Sequence, residues 1–327
     1  MMKKWIFILS SLLAAQFILT ATVNLTDEDY EAFQAEEKVL SFDEKEVDSL
    51  RIEDGTDSVL LKKQEGKWLL PESGNFPANQ SSVEQLLGNL AIMKKGWPVA
   101  KTRSALRRFQ VDEEQFERKL VLLSGDEAQA TLYVGTSPGF RKVYIRPADG
   151  DEVLAVEFNT WDAGAKADHW IDKDVLTLDE SDVERVEMPS VTLQWEDGKP
   201  QVANLGEKEQ TNEKESRSLL GKLAKLRIQS LMGTGAKPEY QQDKSAFEVK
   251  ITRKGGEILN YRFSKSEGAS YYILKRSDLD HYFKVAEYSV NPIKKTTREQ
   301  LVQARTEEAS SELTGDKDDE KKINTRP

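Results

Sequence analysis

The stretch Leu86-Leu87-Gly88-Asn89-Leu90-Ala91 returns further along the chain as Leu219-Leu220-Gly221-Lys222-Leu223-Ala224. In both stretches the leucines fall on one face of a helix with 3.6 residues per turn. A helix with a single apolar face buries that face against a sheet or another helix. The two stretches therefore predict two amphipathic helices, one in each half of the chain.

The sequence around the two helices repeats as well. Residues 40–52 share their apolar positions and an acidic pair with residues 176–188, and both segments predict a turn that leads into a strand. Residues 116–122 correspond to residues 247–253, and each of these segments is followed by a glycine-containing hairpin turn. Repetition over this distance indicates a duplicated unit.

These patterns predict an α+β fold of two tandem similar units, each an antiparallel sheet with one long amphipathic helix, after one N-terminal transmembrane helix. The predicted segments are a cytoplasmic tip and transmembrane anchor over 1–24, a linker over 25–39, a first α+β repeat over 40–176, a second α+β repeat over 177–305, and a charged disordered tail over 306–327. The tail carries charge without an apolar period, which is typical of a solvated segment.

An apolar segment near the N-terminus predicts the transmembrane helix. The nineteen residues from Trp5 to Val23 carry no charge. At about 1.5 Å per residue they extend about 28 Å, close to the hydrocarbon thickness of a bilayer. Lys3 and Lys4 precede the segment, and acidic residues follow it from Asp27. The positive-inside rule then places the N-terminus in the cytoplasm and the body on the other side of the membrane.

The same segment also fits a cleaved signal peptide, with residues 1–4 as the charged region and residues 5–15 as the apolar region. Cleavage requires small residues one and three positions before the cut. Ala15 and Ala21 each have a leucine two positions earlier, and Thr22 with Thr20 gives a weak match. The sequence therefore favours a retained anchor over cleavage.

Composition excludes several classes of function. The 57 acidic residues outnumber the 47 basic ones, which gives a formal net charge of −10, whereas nucleic-acid binding requires a concentrated basic face. The sequence contains no cysteine, so disulfides, thiolate metal sites, cysteine nucleophiles and lipid attachment through cysteine are excluded. We expect no nucleic-acid partner and no cofactor.

Two histidines are the imidazoles available to the chain for catalysis or metal binding. Each lies beside acids in the sequence, with Asp168 and Asp172 near His169, and Asp278 and Asp280 near His281. The two histidines do not form the H-x-x-x-H or H-E-x-x-H spacing of a metal site. The sequence favours a surface turn for each, and we predict no catalytic, cofactor-binding or metal-binding residue.

Other candidate sites have weaker support. Gly233-Thr234-Gly235-Ala236-Lys237 is a glycine-containing loop predicted to follow a helix, and its spacing does not fit a phosphate-binding loop. The acidic pairs Glu113-Glu114 and Asp318-Asp319 are expected by chance in a chain with 57 acidic residues. We interpret all three segments as ordinary connections or surface.

Five tryptophans lie mostly on predicted strands or at strand ends: Trp68, Trp97, Trp161, Trp170 and Trp195. Packing between a sheet and a helix is the usual role of an aromatic side chain at such a position. The alternative is that one or two of them line a groove that binds a partner.

The order of these segments resembles the bacterial DUF4340 family over roughly residues 40–300, counted as two copies. The resemblance rests on five segments: Phe42-Asp43, Gly66-Lys67-Trp68-Leu69-Leu70, the helix start after Pro77-Ala78-Asn79, Val143-Tyr144-Ile145-Arg146, and the tryptophan-containing segment 169–176. Residues 109–113 lack the Gly-Leu and proline common in the family. The resemblance implies a single-pass protein of the bacterial inner membrane with a periplasmic or extracytoplasmic body, found beside ABC-type transport systems of the gliding-motility kind and without an assigned reaction.

These expectations together indicate a non-enzymatic, membrane-anchored extracytoplasmic scaffold or auxiliary protein. Its expected partners are the membrane and either ABC-type transporter subunits or another envelope protein. Two alternatives stay open. One is an envelope hydrolase or glycan-modifying enzyme that uses His169 or His281 with nearby acids, and the other is an extracytoplasmic protein that binds a small ligand.

Overall fold

The computed structural model describes residues 13–16, 37–139 and 141–305. Residues 13–16 are helical, and the rest of the predicted anchor over 1–24 lies outside the described residues. The predicted tail over 306–327 lies outside them too. Within the described ranges, no helix is both long enough and apolar enough to cross a membrane.

The first part of the chain alternates short strands with short helices. In chain order these are β1 (Ser49–Glu53), β2 (Ser58–Gln64), β3 (Lys67–Leu70), β4 (Phe76–Pro77), α1 (Gln80–Ile92), β5 (Pro98–Ala100), α2 (Arg103–Arg108), β6 (Arg118–Ser124), β7 (Glu127–Val134), β8 (Lys142–Pro147), β9 (Val153–Glu157) and α3 (Ala167–Trp170). Two 3₁₀ turns, Pro71–Ser73 and Thr160–Ala163, connect them.

The second part repeats the alternation. Its elements are β10 (Val183–Met188), β11 (Val191–Glu196), β12 (Lys199–Val202), β13 (Glu209–Thr211), α4 (Glu213–Ala224), β14 (Ser230–Leu231), β15 (Phe247–Arg253), β16 (Ile258–Ser264), β17 (Tyr271–Arg276), β18 (Tyr282–Ala286), α5 (Glu287–Lys294), α6 (Arg298–Leu301) and β19 (Val302–Ala304). The 3₁₀ turns here are Glu180–Asp182, Pro238–Tyr240 and Gln242–Lys244.

The described chain divides into two compact units. The first contains the residues up to 58 together with 84–165, and the second contains 59–83 together with the residues from 166 onward. The predicted α+β class is confirmed, since large antiparallel sheets dominate and helices are few. The predicted repeat boundary between residues 176 and 177 stays a prediction.

Antiparallel pairing organises the first unit. Neighbouring strands follow the order β1-β6-β7-β8-β9-β5, and every neighbouring pair is antiparallel. Leu120 of β6 pairs with Leu132 of β7, and both side chains are fully buried. Gly125 makes the hairpin turn between these strands with a φ of 60°, a conformation that favours glycine.

The second unit contains a short meander and a larger sheet. β2, β3 and β4 are consecutive antiparallel neighbours. The larger sheet has eight strands in the order β12-β11-β10-β15-β16-β17-β18-β14. Its strand β16 alternates exposed and buried side chains, with Leu259, Tyr261 and Phe263 buried. β13 and β19 form a separate two-stranded sheet.

The two units share one strand order. β1, β6, β7, β8, β9 and β5 of the first unit hold the same sequence of neighbours as β10, β15, β16, β17, β18 and β14 of the second. The register agrees as well. Val143 pairs with Val156, and Tyr272 pairs with Val285, so in both units the second residue of one strand faces the fourth residue of the next.

The register corrects one predicted correspondence. Arg118, rather than Phe116, holds the place of Phe247, because each is the first residue of its strand and pairs with the neighbouring strand at Val134 or Phe263. Phe116 lies before β6 and packs beside Val111 and Tyr133 in a cluster of the first unit. The sequence pattern places the start of the strand at Phe116, whereas β6 begins two residues later, at Arg118.

The two leucine-rich stretches form helices α1 and α4, as predicted. Asparagines cap both N-termini: Asn79 Oδ1 accepts from Ser82 N at 3.0 Å, and Asn212 Oδ1 accepts from Glu215 N at 3.3 Å. The apolar faces are buried, with Val83, Leu86, Leu87, Leu90 and Ala91 in α1 and Leu219, Leu220, Leu223 and Ala224 in α4. Burial of one stripe explains the spacing of the leucines in the sequence.

Two glycine substitutions have opposite expected effects on stability. A Cβ at Gly88, inside α1, meets no atom within 4 Å, so Gly88→Ala should raise the free energy of unfolding by about 0.5–1 kcal/mol. A Cβ at Gly135 would lie 2.0 Å from the backbone oxygen of Phe109, so Gly135→Ala should lower it by about 1–3 kcal/mol. Urea unfolding measures both, and two variants of equal stability would contradict the packing described.

An ion pair beside β13 predicts a dependence on pH. Arg298 Nη1 donates to Glu209 Oε1 at 3.0 Å, and the hydrogen bonds from Arg298 and the Gly206 N–H lower the pKa of Glu209 from 4.5 to about 2. A carboxyl whose pKa is lower in the folded state stabilises the fold above its unfolded pKa. This contribution is present above about pH 4.5 and is lost as the pH falls through about 2.

Glu209→Gln should therefore flatten the fall of the melting temperature between pH 4.5 and about 2. Glu207→Gln, which removes the same charge from an exposed position nearby, should leave the wild-type profile unchanged. Parallel profiles for the wild type and Glu209→Gln would contradict the role of the ion pair.

Candidate functional site

His169 lies on the surface, as the sequence predicts. It belongs to the short helix α3, its side chain is exposed, and its ring meets Trp170 edge-on with ring centroids 4.9 Å apart. Of the nearby acids, Asp172 accepts a hydrogen bond from the backbone N–H of Asp174 at 2.9 Å. These contacts give His169 and Asp172 ordinary structural roles.

His281 is a core residue rather than the predicted surface turn. It is only 8% exposed, and its ring meets Phe76 edge-on at a centroid distance of 5.0 Å. His281 Nε2 lies 2.8 Å from the carbonyl oxygen of Ser73. A carbonyl can only accept, so Nε2 carries the proton. The ring therefore packs in the second unit with its donor satisfied.

Asp278, one of the two acids near His281 in the sequence, pairs with Arg276. Asp278 Oδ1 accepts from Arg276 Nε at 2.6 Å, and Arg276 also donates to the carbonyl oxygens of Leu176 and Val175. Arg276 is buried, and a buried guanidinium needs such partners. Burial raises the pKa of Tyr261, which Arg276 contacts, while the charge of Arg276 acts in the opposite direction.

The other segments considered as sites, the glycine-containing loop and the acidic pairs, do not come together in the described residues. Among residues 13–16, 37–139 and 141–305, no three His, Cys, Asp or Glu side chains form a group able to hold a metal ion. The loop 233–237 follows strand β14, not a helix as predicted, and Gly233 O accepts from the N–H of Tyr282 at 2.9 Å. Glu114 lies 3.9 Å from Arg107, and Asp318-Asp319 lies outside the described residues.

The tryptophans separate into two groups. Trp68 and Trp170 are buried, and Trp195 is half-buried on β11. Trp97 and Trp161 are 71% and 83% exposed, so the packing role predicted for tryptophans at strand ends is wrong for these two. Aromatic residues are enriched in protein–protein interfaces, whereas a single exposed aromatic side chain is common on any surface, so the surroundings of each tryptophan decide its role.

Trp161 belongs to a groove of about 900 Å³ in the first unit. The apolar side chains that line it are Ile92, Met93, Val143, Val156, Phe158 and Trp161. Ile92 is 68% exposed at the end of α1. Paired Val143 and Val156 lie on adjacent strands β8 and β9 and are themselves buried. An exposed aromatic and an exposed aliphatic side chain thus lie at the same groove.

Charged residues also line the groove: Lys94, Arg141, Lys142, Glu157 and Asp162. Basic residues outnumber acidic ones here, whereas the whole chain has a net charge of −10. The groove is therefore a locally basic, apolar feature of an acidic protein. Such an arrangement favours a ligand or partner segment that is apolar and carries negative charge.

Hydrogen bonds fix the backbone around Trp161. Asn159 Oδ1 accepts from the Trp161 N–H at 3.2 Å, and Asn159 Nδ2 donates to Asp162 Oδ1 at 2.9 Å. At the end of the same turn, Ala163 is fully buried and its carbonyl oxygen accepts from Arg118 Nε at 3.0 Å. These bonds fix the turn on both sides of Trp161, so the indole is presented from a defined backbone.

The sequence leaves open that a tryptophan lines a partner-binding groove, but it does not indicate which residues form that groove. Its lining comes from the end of α1, from β8 and β9, and from the turn after β9, which are far apart along the chain. Asn159-Thr160-Trp161-Asp162 is the one local signal, because an asparagine-capped turn with a tryptophan inside it leaves the indole little room to reach the core.

The fold and the groove together define an α+β protein with an open apolar groove in its first unit. The family model described as Domain of unknown function (DUF4340) matches residues 68–245, a range that includes the groove. The chain belongs to this family, as its segment order suggests, and the match represents one copy. No curated protein and no solved structure matches the chain.

Substitution of each histidine should affect stability differently. His281→Ala should lower the free energy of unfolding by about 1–3 kcal/mol, because it opens space beside Phe76 and leaves the Ser73 carbonyl oxygen without this donor. His169→Ala, at an exposed position, should change it by less than about 0.5 kcal/mol. Urea unfolding of both variants tests this. A large loss of unfolding free energy for His169→Ala would contradict the surface role of this residue.

Proposed function

We propose that this protein is a non-enzymatic, membrane-anchored extracytoplasmic scaffold that binds another envelope protein through the groove at Ile92 and Trp161. The proposal rests on the exposure of these two side chains beside a groove of about 900 Å³. Exposing an indole and an isoleucine to water costs free energy that contact with a partner recovers. Aromatic side chains with defined backbones are frequent binding hot spots.

The environment of the two histidines supports a binding role over a hydrolytic one. His281 is packed against Phe76 with its Nε2–H donated to a backbone carbonyl. Asp278 is engaged by Arg276. A general base needs a lone pair that a substrate can reach, whereas His281 is buried and both carboxylate oxygens of Asp278 accept hydrogen bonds from Arg276. His169 lies on a different element, the exposed helix α3.

The sequence supports the proposed membrane anchor and the proposed transporter partners. The uncharged segment from Trp5 to Val23, with lysines before it and acids after it, supports an anchor in a bacterial inner membrane. The segment order resembles a family found beside ABC-type transport systems, so transporter subunits are the envelope partners we propose. The shared strand order and register support a second proposal, that the two units descend from one duplicated unit.

Alkaline carbonate extraction and affinity capture test the proposal together. The tagged full-length protein should stay in the membrane fraction and, after detergent solubilisation, should recover transporter subunits. Ile92→Ser combined with Trp161→Ser should reduce that recovery at least about tenfold, which corresponds to about 1.4 kcal/mol of binding free energy. Quantitative mass spectrometry of the captured material gives the measurement.

Tyr288→Ser is the matched control, because Tyr288 is 78% exposed but lies in the second unit. It should recover the partners as the wild type does. Release of the mature protein by carbonate would contradict the anchor. Equal recovery by the wild type and the groove variant would contradict the role of the groove.

A further inference from the structure

The second unit shows how the chain itself covers the position that forms the groove in the first unit. Tyr272 and Val285 are the paired residues on β17 and β18 that correspond to Val143 and Val156. Helix α5 begins directly after β18 and packs on both strands. The Tyr272 hydroxyl donates to Asn291 Oδ1 of this helix at 2.9 Å.

The buried face of α5 is short and regular. Val290 and Ile293 are fully buried, and residues three apart lie on the same side of a helix. Glu287 at the start of the helix pairs with Lys265. The apolar face that α5 turns toward the second sheet therefore includes Val290 and Ile293, one helical turn apart.

The first unit has no such helix at the corresponding place in its described residues. β9 ends at Glu157, and the four-residue turn Thr160–Ala163 follows where the eight-residue helix α5 follows β18. The pair Val143–Val156 consequently lines the groove, together with Met93 and Phe158. Trp161 and Ile92 border the groove and remain exposed.

We infer that the groove takes a short amphipathic helix from a partner protein, seated between Ile92 and Trp161 at the place that corresponds to α5 in the second unit. This inference rests on the proposed function and specifies the partner segment by its chemistry. The segment carries apolar residues at i, i+3 and i+4 spacing toward the groove, and Ile92 and Trp161 flank it.

The charge of the groove adds a second requirement for the segment. Three basic residues line it, Lys94, Arg141 and Lys142, against the acidic residues Glu157 and Asp162. A helix with acidic residues beside its apolar stripe matches this lining better than a basic helix does. Because Arg141 and Lys142 are exposed, their contribution depends on ionic strength.

The competing occupant is an extended strand. β5 pairs with β9 at Val153 and Leu154, and Gly96 lies against the backbone of Ala155, so a bound peptide would extend the sheet by strand addition along residues 156–157. A strand presents apolar residues at every second position, whereas a helix presents them at three- and four-residue intervals. The spacing of apolar residues in bound peptides therefore distinguishes the two occupants.

Two phage-displayed peptide libraries supply the probes, one patterned with apolar residues at i, i+3, i+4 and i+7 and one with strictly alternating apolar residues. Acidic and basic residues are allowed equally at the other positions in both. Selection on the purified full-length protein in detergent should enrich acidic members of the helical library. Synthetic versions should gain helical circular dichroism on binding, and their affinity should fall about tenfold or more for Ile92→Asp and for Lys142→Glu.

Tyr288→Ala is the control for non-specific binding to exposed aromatic residues, and it should bind the selected peptides as the wild type does. Both groove positions are exposed, so urea unfolding should show that Ile92→Asp and Lys142→Glu remain folded. Enrichment of alternating peptides, enrichment of nothing, or affinity unchanged by Ile92→Asp would each overturn the helical occupant.

The peptide selection can fail without overturning the proposed function. If capture of envelope proteins from membranes depends on Ile92 and Trp161 while helical peptides fail to bind, the proposed function stands and the helical occupant falls. If capture is independent of the groove, the proposed function falls at this site as well.

Discussion

The antiparallel register of β6, β7, β8 and β9, and that of β15, β16, β17 and β18, determines which side chains of each sheet are buried. A slip of one residue would turn every buried side chain of a strand to the opposite face of the sheet. Leu120 with Leu132 and Val249 with Tyr261 hold corresponding places in the two units, and all four side chains are buried. Hairpin turns at Gly125 and at Gly255-Gly256 fix this register locally.

With the same strand order in both units, a local difference decides which surface is open. After β18 the chain forms an eight-residue helix that buries Val290 and Ile293. After β9 it forms a four-residue turn capped by Asn159, and this turn directs Trp161 away from the core. The connection after each strand, a helix after β18 and a short turn after β9, therefore decides whether this side of the sheet packs against a helix or borders an open groove.

Sequence patterns predict the regular elements but not which distant residues meet at the surface. The leucine period fixed α1 and α4, and alternation identified β8 and β17, because burial of one face leaves a direct trace in the order of residues. Burial of His281 and exposure of Trp161 depend instead on which distant segments meet them. Phe76 contacts the histidine, and the turn at Asn159 positions the tryptophan. Average preferences of residue types do not contain that information.

Photo-crosslinking in living cells, with a benzophenone amino acid placed at Trp161 of the full-length protein, measures whether a partner occupies the groove. An occupied groove should give a discrete crosslinked product at this position, mapped to one segment of an envelope protein, and no matching product from Tyr288, which is similarly exposed in the second unit. Identical product patterns from the two positions, or the absence of a product at Trp161, would contradict this occupancy.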